Sequence, residues 1–319
     1  MQPCASRGDR PECVPFLGLD FTPLTIDDQP ELEPFLARYP HALSGYTFST
    51  FVAWDHVFHY CWAFTASGAL LVAFRFAPDG PLHLMQPIGP LDAATATSLV
   101  EAGRRLEKPL AIVGVDGAFL DSQPEFASQF SVTEEPENAN YIYRATDLAE
   151  LKGRRYAKKR NLIAQADQSY AWSVEPMTPE RVDDACEVMR LMAEEEPPVS
   201  ESMEQDNEAL RRTLGDFGRL RQDGILVRVD GAPAGFALFE RQTPDTLVIH
   251  FERARRDVKG LYQLVNRAAA EAAVRAGFSF VNREEDLGDP GLRQAKASYD
   301  PIRLEMAYRL TLRIRDSDR

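Results

Sequence analysis

The chain has few cysteines and no long apolar run. Four cysteines occur in 319 residues, at positions 4, 13, 61 and 186, and none forms a CxxC pair. A disulfide framework or a zinc site needs more closely spaced cysteines, so reduced thiols and a cytoplasmic location are expected. The longest apolar run covers residues 69–74, whereas a helix needs about 20 residues to cross a bilayer, so no transmembrane segment is expected.

Basic residues are also in deficit. The chain has 36 lysines and arginines against 49 acidic residues, a formal net charge of -13. This balance excludes general coating of nucleic acid, so any polyanion must be met by a local basic patch. Apolar residues make up 44% of the chain, enough for a full core, and the length suits two domains.

Hydrophobic periodicity and turn residues predict the same order of elements in both halves of the chain. The first half contains a hairpin, a third strand, a helix capped by Asp92, a strand, a helical stretch and a last strand, over residues 60–76, 82–86, 92–109, 110–113, 116–130 and 141–144. The second half has two leading helices and then the same plan, over residues 179–193, 204–221, 225–240, 246–252, 260–276, 278–281, 290–298 and 302–313.

This order resembles the GCN5-related acyltransferase (GNAT) fold, occurring twice. The predicted class is α/β (α+β), with two tandem GNAT-like domains, each a mixed, largely antiparallel sheet flanked by helices. We expect a loose tail over residues 1–20, an N-terminal domain over 21–146, a basic junction helix over 147–165 and a C-terminal domain over 166–319. An α/β protein with two unrelated halves is the alternative.

Residues 278–301 combine the end of a buried strand with the start of a helix. A short apolar run is followed by Arg283 and three acids, and Asp289 with Pro290 predicts an N-cap and a first helical turn. Ligands of open α/β sheets bind beyond the carboxyl ends of strands, and helix starts favour anions. The segment therefore predicts a site, with a salt-bridged connection that binds no ligand as the alternative.

A second charged segment lies at the predicted domain junction. Residues 152–160 concentrate positive charge in an acidic chain, at Lys152, Arg154, Arg155, Lys158, Lys159 and Arg160. Six like charges in nine residues repel one another unless a counterion is present, so a phosphate-bearing ligand is favoured. The alternative is a solvated face that is bridged to acids elsewhere.

Three motifs carry a resemblance to a known family: KGRRYAKKRN at residues 152–161, FERARRDVKGLYQLVNR at 251–267, and NREEDLG with GLRQAKASYDP at 282–301. They resemble bacterial proteins similar to the C-terminal domain of phosphatidylglycerol lysyltransferase, a group built from two GNAT folds like the Fem-type aminoacyltransferases. The resemblance covers residues 20–312. It implies transfer of an acyl or aminoacyl group to an amine or hydroxyl, with acyl-CoA or an aminoacyl-tRNA as co-substrate and no tightly bound cofactor.

The resemblance also directs attention to a Q/R-x-x-G-x-G/A loop, whose amides hold pyrophosphate in CoA-dependent members of the fold. Arg255, Val258 and Gly260 fill that spacing in the second half, with one glycine missing. The first half has Gln86, Gly89 and Leu91, again an imperfect match. This departure favours a tRNA-type donor over CoA, or no donor.

Glu252 and Tyr299 are the candidate catalytic residues, the first as a base at the end of the third strand and the second as an acid near the last helix. Glu240, Glu284 and Asp286 are rival bases. The candidate donor-binding residues are cations and one loop glycine: Lys158, Lys159, Arg160, Arg255, Gly260, Arg283, Arg293 and Lys296. His56 and His59 are interpreted as core histidines, and no metal site is predicted.

Two functions from different classes remain open. The first is an acyltransferase or aminoacyltransferase active in the C-terminal half, with a small-molecule, peptide or lipid amine as acceptor and tRNA as a candidate partner. The second is a non-catalytic GNAT-fold module that binds a nucleotide or an anionic metabolite.

Overall fold

The structure is a computed structural model that describes residues 13, 15–77, 79–195 and 197–314. Within these residues the chain forms two compact units. The first takes the chain up to Tyr39, Trp54–Glu135 and the chain from Ala307 onward, and the second takes Pro40–Ala53 and Pro136–Met306. Each unit thus assembles segments that are discontinuous in sequence. The contiguous domain boundaries predicted from the sequence stay a prediction.

Helices and strands alternate along the described chain. The helices are α1 Gln29–Arg38, α2 Phe48–Phe58, α3 Ala93–Arg104, α4 Gly117–Ser122, α5 Pro124–Ala127, α6 Ala145–Glu150, α7 Ala157–Ser169, α8 Val182–Glu195, α9 Glu201–Gly215, α10 Leu261–Arg275 and α11 Pro290–Ala297. The strands are β1 Thr22–Pro23, β2 Cys61–Phe64, β3 Leu70–Phe74, β4 His83–Met85, β5 Ala111–Val115, β6 Phe130–Arg144, β7 Trp172–Pro176, β8 Asp223–Val229, β9 Ala232–Arg241, β10 Thr246–Ala254, β11 Phe280–Asn282 and β12 Arg303–Leu312.

The sheet of the first unit has the order β1-β2-β3-β4-β5-β12. Its strands pair antiparallel except for β4 with β5, which are parallel because α3 connects them. Asp92 caps α3 as predicted, accepting a hydrogen bond from the Thr95 amide at 2.8 Å. Fully buried side chains such as Leu84, Leu99 and Ile112 form the core of this unit.

The sheet of the second unit has the order β6-β11-β10-β9-β8-β7 and repeats the same plan. Strands β7 to β10 pair antiparallel. Strand β10 pairs parallel with β11, and helix α10 connects the two strands. The mixed α/β architecture with GNAT-like sheets, predicted from the sequence, is thus confirmed.

The last strand of each sheet comes from the other half of the sequence. Strand β6 closes the second unit by pairing with β11, and β12 closes the first unit by pairing with β5. The register of β12 is set by Tyr308 opposite Val115 and Leu310 opposite Ile112. This exchange explains why the units are discontinuous in sequence. The short predicted strand at residues 141–144 is wrong in length, because β6 begins at Phe130.

Two further expectations are corrected by the structure, and one strand was not expected. The single basic helix over residues 147–165 is broken, because Leu151 and Gly153 adopt positive φ between α6 and α7. Cys13 and Cys61 form a disulfide with their Cα atoms 5.9 Å apart, so these two thiols are not reduced. Strand β7 is an element that the sequence patterns missed. None of the described helices combines the length and apolar character needed to cross a bilayer.

Candidate active site in the second unit

The candidate site lies where β10 and β11 stop pairing. The two strands pair over three residues, from Thr246 opposite Phe280 to Val248 opposite Asn282. Beyond this point β10 continues to Ala254 beside β9, while the chain after β11 leaves the sheet and leads into α11. Asp289 caps α11 as predicted, accepting from the Leu292 amide at 2.7 Å. The polar side chains that follow both strands therefore gather at one sheet edge.

A buried ion pair joins the two strand ends. Arg283 donates from Nε at 3.1 Å and from Nη2 at 2.5 Å to one oxygen of Glu252, and both side chains are about nine-tenths buried. The other oxygen of Glu252 accepts from Asn266 Nδ2 on α10 at 3.0 Å. Burial by itself would lower the pKa of Arg283, but the charge of Glu252 raises it, so the guanidinium stays charged.

Three buried polar atoms around this pair have no hydrogen-bond partner among the described residues. They are the Tyr299 hydroxyl, Arg283 Nη1 and Asn266 Oδ1. Most buried polar atoms in folded proteins are hydrogen-bonded, so three unpaired atoms beside one ion pair are unusual. Together they offer donors and an acceptor to a small polar group, and the aromatic rings of Tyr143 and Tyr299 lie 5.9 and 5.0 Å from the Arg283 guanidinium.

The residues around Tyr299 keep it protonated and in place. Burial, partly offset by the charge of Arg283, raises the pKa of Tyr299 to about 12. Its carbonyl accepts from the Tyr156 hydroxyl at 3.0 Å. Lys159 lies 4.3 Å from its ring centroid and donates to the Ser298 carbonyl at 2.6 Å. Burial and the neighbouring charges of Lys158 and Arg283 lower the pKa of Lys159.

A second buried cluster lies beside the ion pair, around His250. Nδ1 of His250 is 2.7 Å from Glu284 and Nε2 is 2.8 Å from Glu240, which also accepts a hydrogen bond from Ser49 Oγ. Burial alone would lower the pKa of His250, but the charge of Glu284 and the hydrogen bonds to both carboxylates raise it to about 10. Glu240 and Glu284, rival candidates for the base, are thus engaged by one imidazolium.

The loop between β11 and α11 is held by its own charges. Asp286 is buried and accepts from Arg293 Nε at 2.8 Å and from the Tyr141 hydroxyl at 2.7 Å. The hydrogen bond from Arg293 lowers the pKa of Asp286 to about 2. Lys296 donates to the Arg283 carbonyl at 2.6 Å and to the Glu285 carbonyl. Burial and the charge of Glu284 raise the pKa of the Glu285 carboxyl to about 7.

The structure brings together some of the predicted site residues and separates others. Five of them lie in or beside the buried cluster and are joined through the contacts given above: Glu252, Tyr299, Arg283, Lys159 and Lys296. Arg293, by contrast, is engaged by Asp286 and half-exposed.

The remaining predicted residues are exposed or contact groups outside the buried cluster. Lys158 is exposed on α7. Arg160 donates to the carbonyls of Leu151 and Gly153 and so stabilises the break before α7. Arg255 pairs with Asp257 two residues away.

The structure gives a packing explanation for glycine at position 260. Gly260 adopts φ of 85°, and a Cβ at this position would lie 2.2 Å from the Leu162 carbonyl oxygen on α7. In the first unit a Cβ on Gly89 would lie 2.9 Å from the Phe35 ring, so that glycine also serves close packing. At both loop glycines the space that a Cβ would need is thus taken up by a neighbouring group.

His250 and Asn266 were missed by the sequence reasoning. His250 is the extra residue of a β-bulge, since Ile249 pairs with Phe239 and Phe251 with the adjacent Leu238. A bulge re-aims a side chain, which period-two alternation does not predict. The detectable signal was a histidine two residues before a glutamate in an otherwise apolar strand.

Comparison with known proteins places the chain in a family. The family model described as "Phosphatidylglycerol lysyltransferase, C-terminal" matches residues 36–311. The chain belongs to this family. A comparison with curated proteins finds no match to the sequence.

Solved structures of the same fold span nearly the whole chain. A conserved protein of unknown function from Bacteroides thetaiotaomicron is 26% identical with a TM-score of 0.84, covering 92% of this chain and 99% of that one. L-PGS from Bacillus licheniformis is 14% identical with a TM-score of 0.63, covering 91% and 93%. FemX is 9% identical with a TM-score of 0.58, covering 91% and 97%. The last two show that this lysyltransferase-family chain shares its fold with L-PGS and FemX.

Proposed function

We propose that the chain transfers an acyl or aminoacyl group to an amine or hydroxyl, and that the reaction takes place at Glu252, Arg283 and Tyr299. The observation that carries the proposal is the pair of unpartnered buried donors, Arg283 Nη1 and the Tyr299 hydroxyl. A buried charged donor such as Arg283 Nη1 can bind a carbonyl oxygen as it becomes negative, and a buried hydroxyl such as that of Tyr299 can protonate a leaving group. Membership of a family named for a lysyltransferase supports the same reaction class.

Each residue has a definite role in this proposal. Glu252 aims Arg283 through two hydrogen bonds to one oxygen, and its remaining lone pairs take the proton of the attacking amine or hydroxyl. Arg283 Nη1 stabilises the oxyanion when the new bond to the carbonyl carbon forms. Tyr299, whose pKa is raised to about 12 by burial, donates its proton to the leaving oxygen or sulfur as the ester or thioester bond breaks. Exchange with solvent restores both protonation states.

An aminoacyl-tRNA fits the donor side better than acyl-CoA. Both glycines that could cradle a pyrophosphate are packed against neighbouring groups, Gly260 on the Leu162 carbonyl and Gly89 on the Phe35 ring. Lys158 and Arg154 are exposed cations near Lys159, where phosphates of a large donor could contact them. The acceptor would be a small-molecule, peptide or lipid amine or hydroxyl.

A transfer assay with two donor classes tests this proposal. Purified protein is incubated with radiolabelled aminoacyl-tRNAs or acyl-CoAs and a panel of amines and hydroxyl compounds. We expect label transfer from aminoacyl-tRNA that Glu252→Gln and Arg283→Lys reduce by about 100-fold, since each removes a group that acts in the transition state. Transfer that is unchanged in both variants would refute the proposed site, provided that both proteins melt cooperatively.

The second candidate is a non-catalytic module that binds a nucleotide or an anionic metabolite. It is favoured by one observation: the buried cations Arg283 and Lys159 lie 5.0 and 4.3 Å from the centroid of the Tyr299 ring, where they could attract an anion. Saturable calorimetric binding of a nucleotide, without turnover of any donor, would select this candidate.

A further inference from the structure

The buried cluster around His250 has no part in the chemistry proposed above. Its members come from several elements: Ser49 from α2, Glu240 from β9, His250 from the bulge in β10, and Glu284 from the loop after β11. The His250 side chain is only 5% exposed, and both of its ring nitrogens contact a carboxylate. Such a chain of charge-assisted hydrogen bonds fixes the relative positions of the groups that it joins.

Glu284 needs such fixing because its backbone is strained. It adopts φ of 59°, a left-handed conformation that is unfavourable for a residue with a Cβ. Three hydrogen bonds hold it: His250 contacts its carboxylate at 2.7 Å, its amide donates to Asn282 Oδ1 at 2.8 Å, and its carbonyl accepts from the Tyr141 amide at 3.1 Å. Of these contacts, the one to His250 is the charged one and joins this loop to β10.

Arg283 directly precedes this strained residue. Its guanidinium must reach Glu252 on β10, two residues beyond His250, while its backbone is held by Tyr141 and Lys296. We propose that His250 is a positioning residue: held between the carboxylates of Glu240 and Glu284, it fixes the backbone that aims the Arg283 guanidinium at Glu252. Its effect on turnover rests on the proposed function, whereas its effect on Arg283 does not.

The charges facing His250 come from every side of the cluster. Glu240 and Glu284 contact the ring, the half-buried Glu285 acts on it through space, and Lys296 on α11 partly neutralises Glu284 and Glu285. The neutral Ser49 hydroxyl completes the contacts of Glu240. With two carboxylates in contact, removal of the cation leaves Glu240 and Glu284 facing each other, which disfavours the observed position of Glu284.

Solvent exchange of the Arg283 Nε–H proton, followed by NMR at pH 6.5, measures this positioning without any substrate. The resonance is assigned by its absence in Arg283→Lys. In His250→Leu we expect the exchange rate to rise about tenfold or more, because a displaced guanidinium loses charged hydrogen bonds to Glu252. The matched control is His83→Leu, which removes a buried histidine of the first unit and should leave this resonance unchanged.

Two milder variants keep the test decisive if His250→Leu does not fold. Glu284→Gln should raise the Arg283 exchange rate more than Glu240→Gln does, since Glu284 is adjacent to Arg283 in the chain and Glu240 is not. A lower melting temperature with an unchanged Arg283 exchange rate would mean that His250 only supports the fold, and would overturn the proposal.

Where the wild type turns over a donor, kcat should fall in His250→Leu with KM unchanged. Absence of turnover in the wild type would count against the proposed function alone.

Discussion

Arg283 places two nitrogens on a single carboxylate oxygen of Glu252, Nε at 3.1 Å and Nη2 at 2.5 Å, and leaves its third nitrogen without a partner among the described residues. Nε and Nη2 are therefore anchored on Glu252, whereas Nη1 is not. The third nitrogen, Nη1, is the donor that the proposed mechanism assigns to the developing oxyanion. The proposed role of Arg283 therefore requires an intact ion pair with Glu252.

Breaking the pair from one side should destabilise the protein strongly. In Arg283→Ala the buried Glu252 loses its counterion, and we expect the free energy of unfolding to fall by about 3–5 kcal/mol. The double variant Arg283→Met, Glu252→Gln removes both charges and should recover much of that loss. Urea unfolding of the three proteins measures both effects, and a double variant less stable than Arg283→Ala would contradict the ion-pair argument.

Acid sensitivity should depend on Arg293 through Asp286. The pKa of Asp286 is held at about 2 by the hydrogen bond from Arg293, below its ordinary value of 3.8. The pair therefore contributes stability that is present above pH 3.8 and is lost as the pH falls towards 2. In Arg293→Ala this contribution should shrink and the midpoint of acid unfolding should move to higher pH.

Arg190→Ala is the matched control for this experiment. Arg190 pairs with Glu187 and Glu194 on the exposed face of α8, so its loss should leave the acid midpoint almost unchanged. Equal acid midpoints for both variants would show that the Asp286 pair does not govern acid stability.

Gly260→Ala should damage the packing of α10 on α7. The new Cβ would lie 2.2 Å from the Leu162 carbonyl oxygen at a positive φ, so one helix must move. We expect a loss of about 3 kcal/mol or more, because overpacking and backbone strain add. Gly231→Ala has the same sign of φ with no atom within 4 Å of the new Cβ, so it should cost only the strain, about 1 kcal/mol. Similar thermal melting of the two variants would exclude the packing explanation.

Reduction of the Cys13–Cys61 disulfide should lower stability. The bridge joins residues 48 positions apart, and closing a loop of this length stabilises a protein by about 4 kcal/mol in the chain-entropy model. Thermal melting with and without a thiol reductant measures the effect. Cys186→Ser, which removes a free cysteine that is exposed on α8, should show the same response to the reductant as the wild type.

Local signals in the sequence predicted most of the elements but not their assembly. The N-caps at Asp92 and Asp289 are determined by neighbouring residues, and both were predicted correctly. The exchange of β6 and β12 depends on pairing between residues more than one hundred positions apart, as for Leu310 with Ile112, and no local pattern encodes it. The disulfide was not predicted for the same reason, since spacing alone does not show that Cys13 lies beside Cys61.

The candidate site shows the same division. The charged segment after β11 and the acid at Glu252 were predicted because strand ends and helix starts are recognisable in sequence. The pairing of each cation with its acid was not predicted, because it depends on the folded chain. Arg283 contacts Glu252 on β10, while Arg293 contacts Asp286. His250 was missed because a bulge, rather than regular alternation, aims its side chain.

Tyr299→Phe is the most direct test of the central claim, that the buried donors beside Glu252 are the reacting centre. The variant loses only a hydroxyl that has no partner among the described residues, so stability should be unchanged while transfer of a labelled aminoacyl group falls by about 100-fold. Tyr156→Phe is the control: it loses a hydroxyl that donates to the Tyr299 carbonyl, and should lower stability by about 1 kcal/mol with a much smaller effect on turnover. Full transfer by a stable Tyr299→Phe protein would contradict the account.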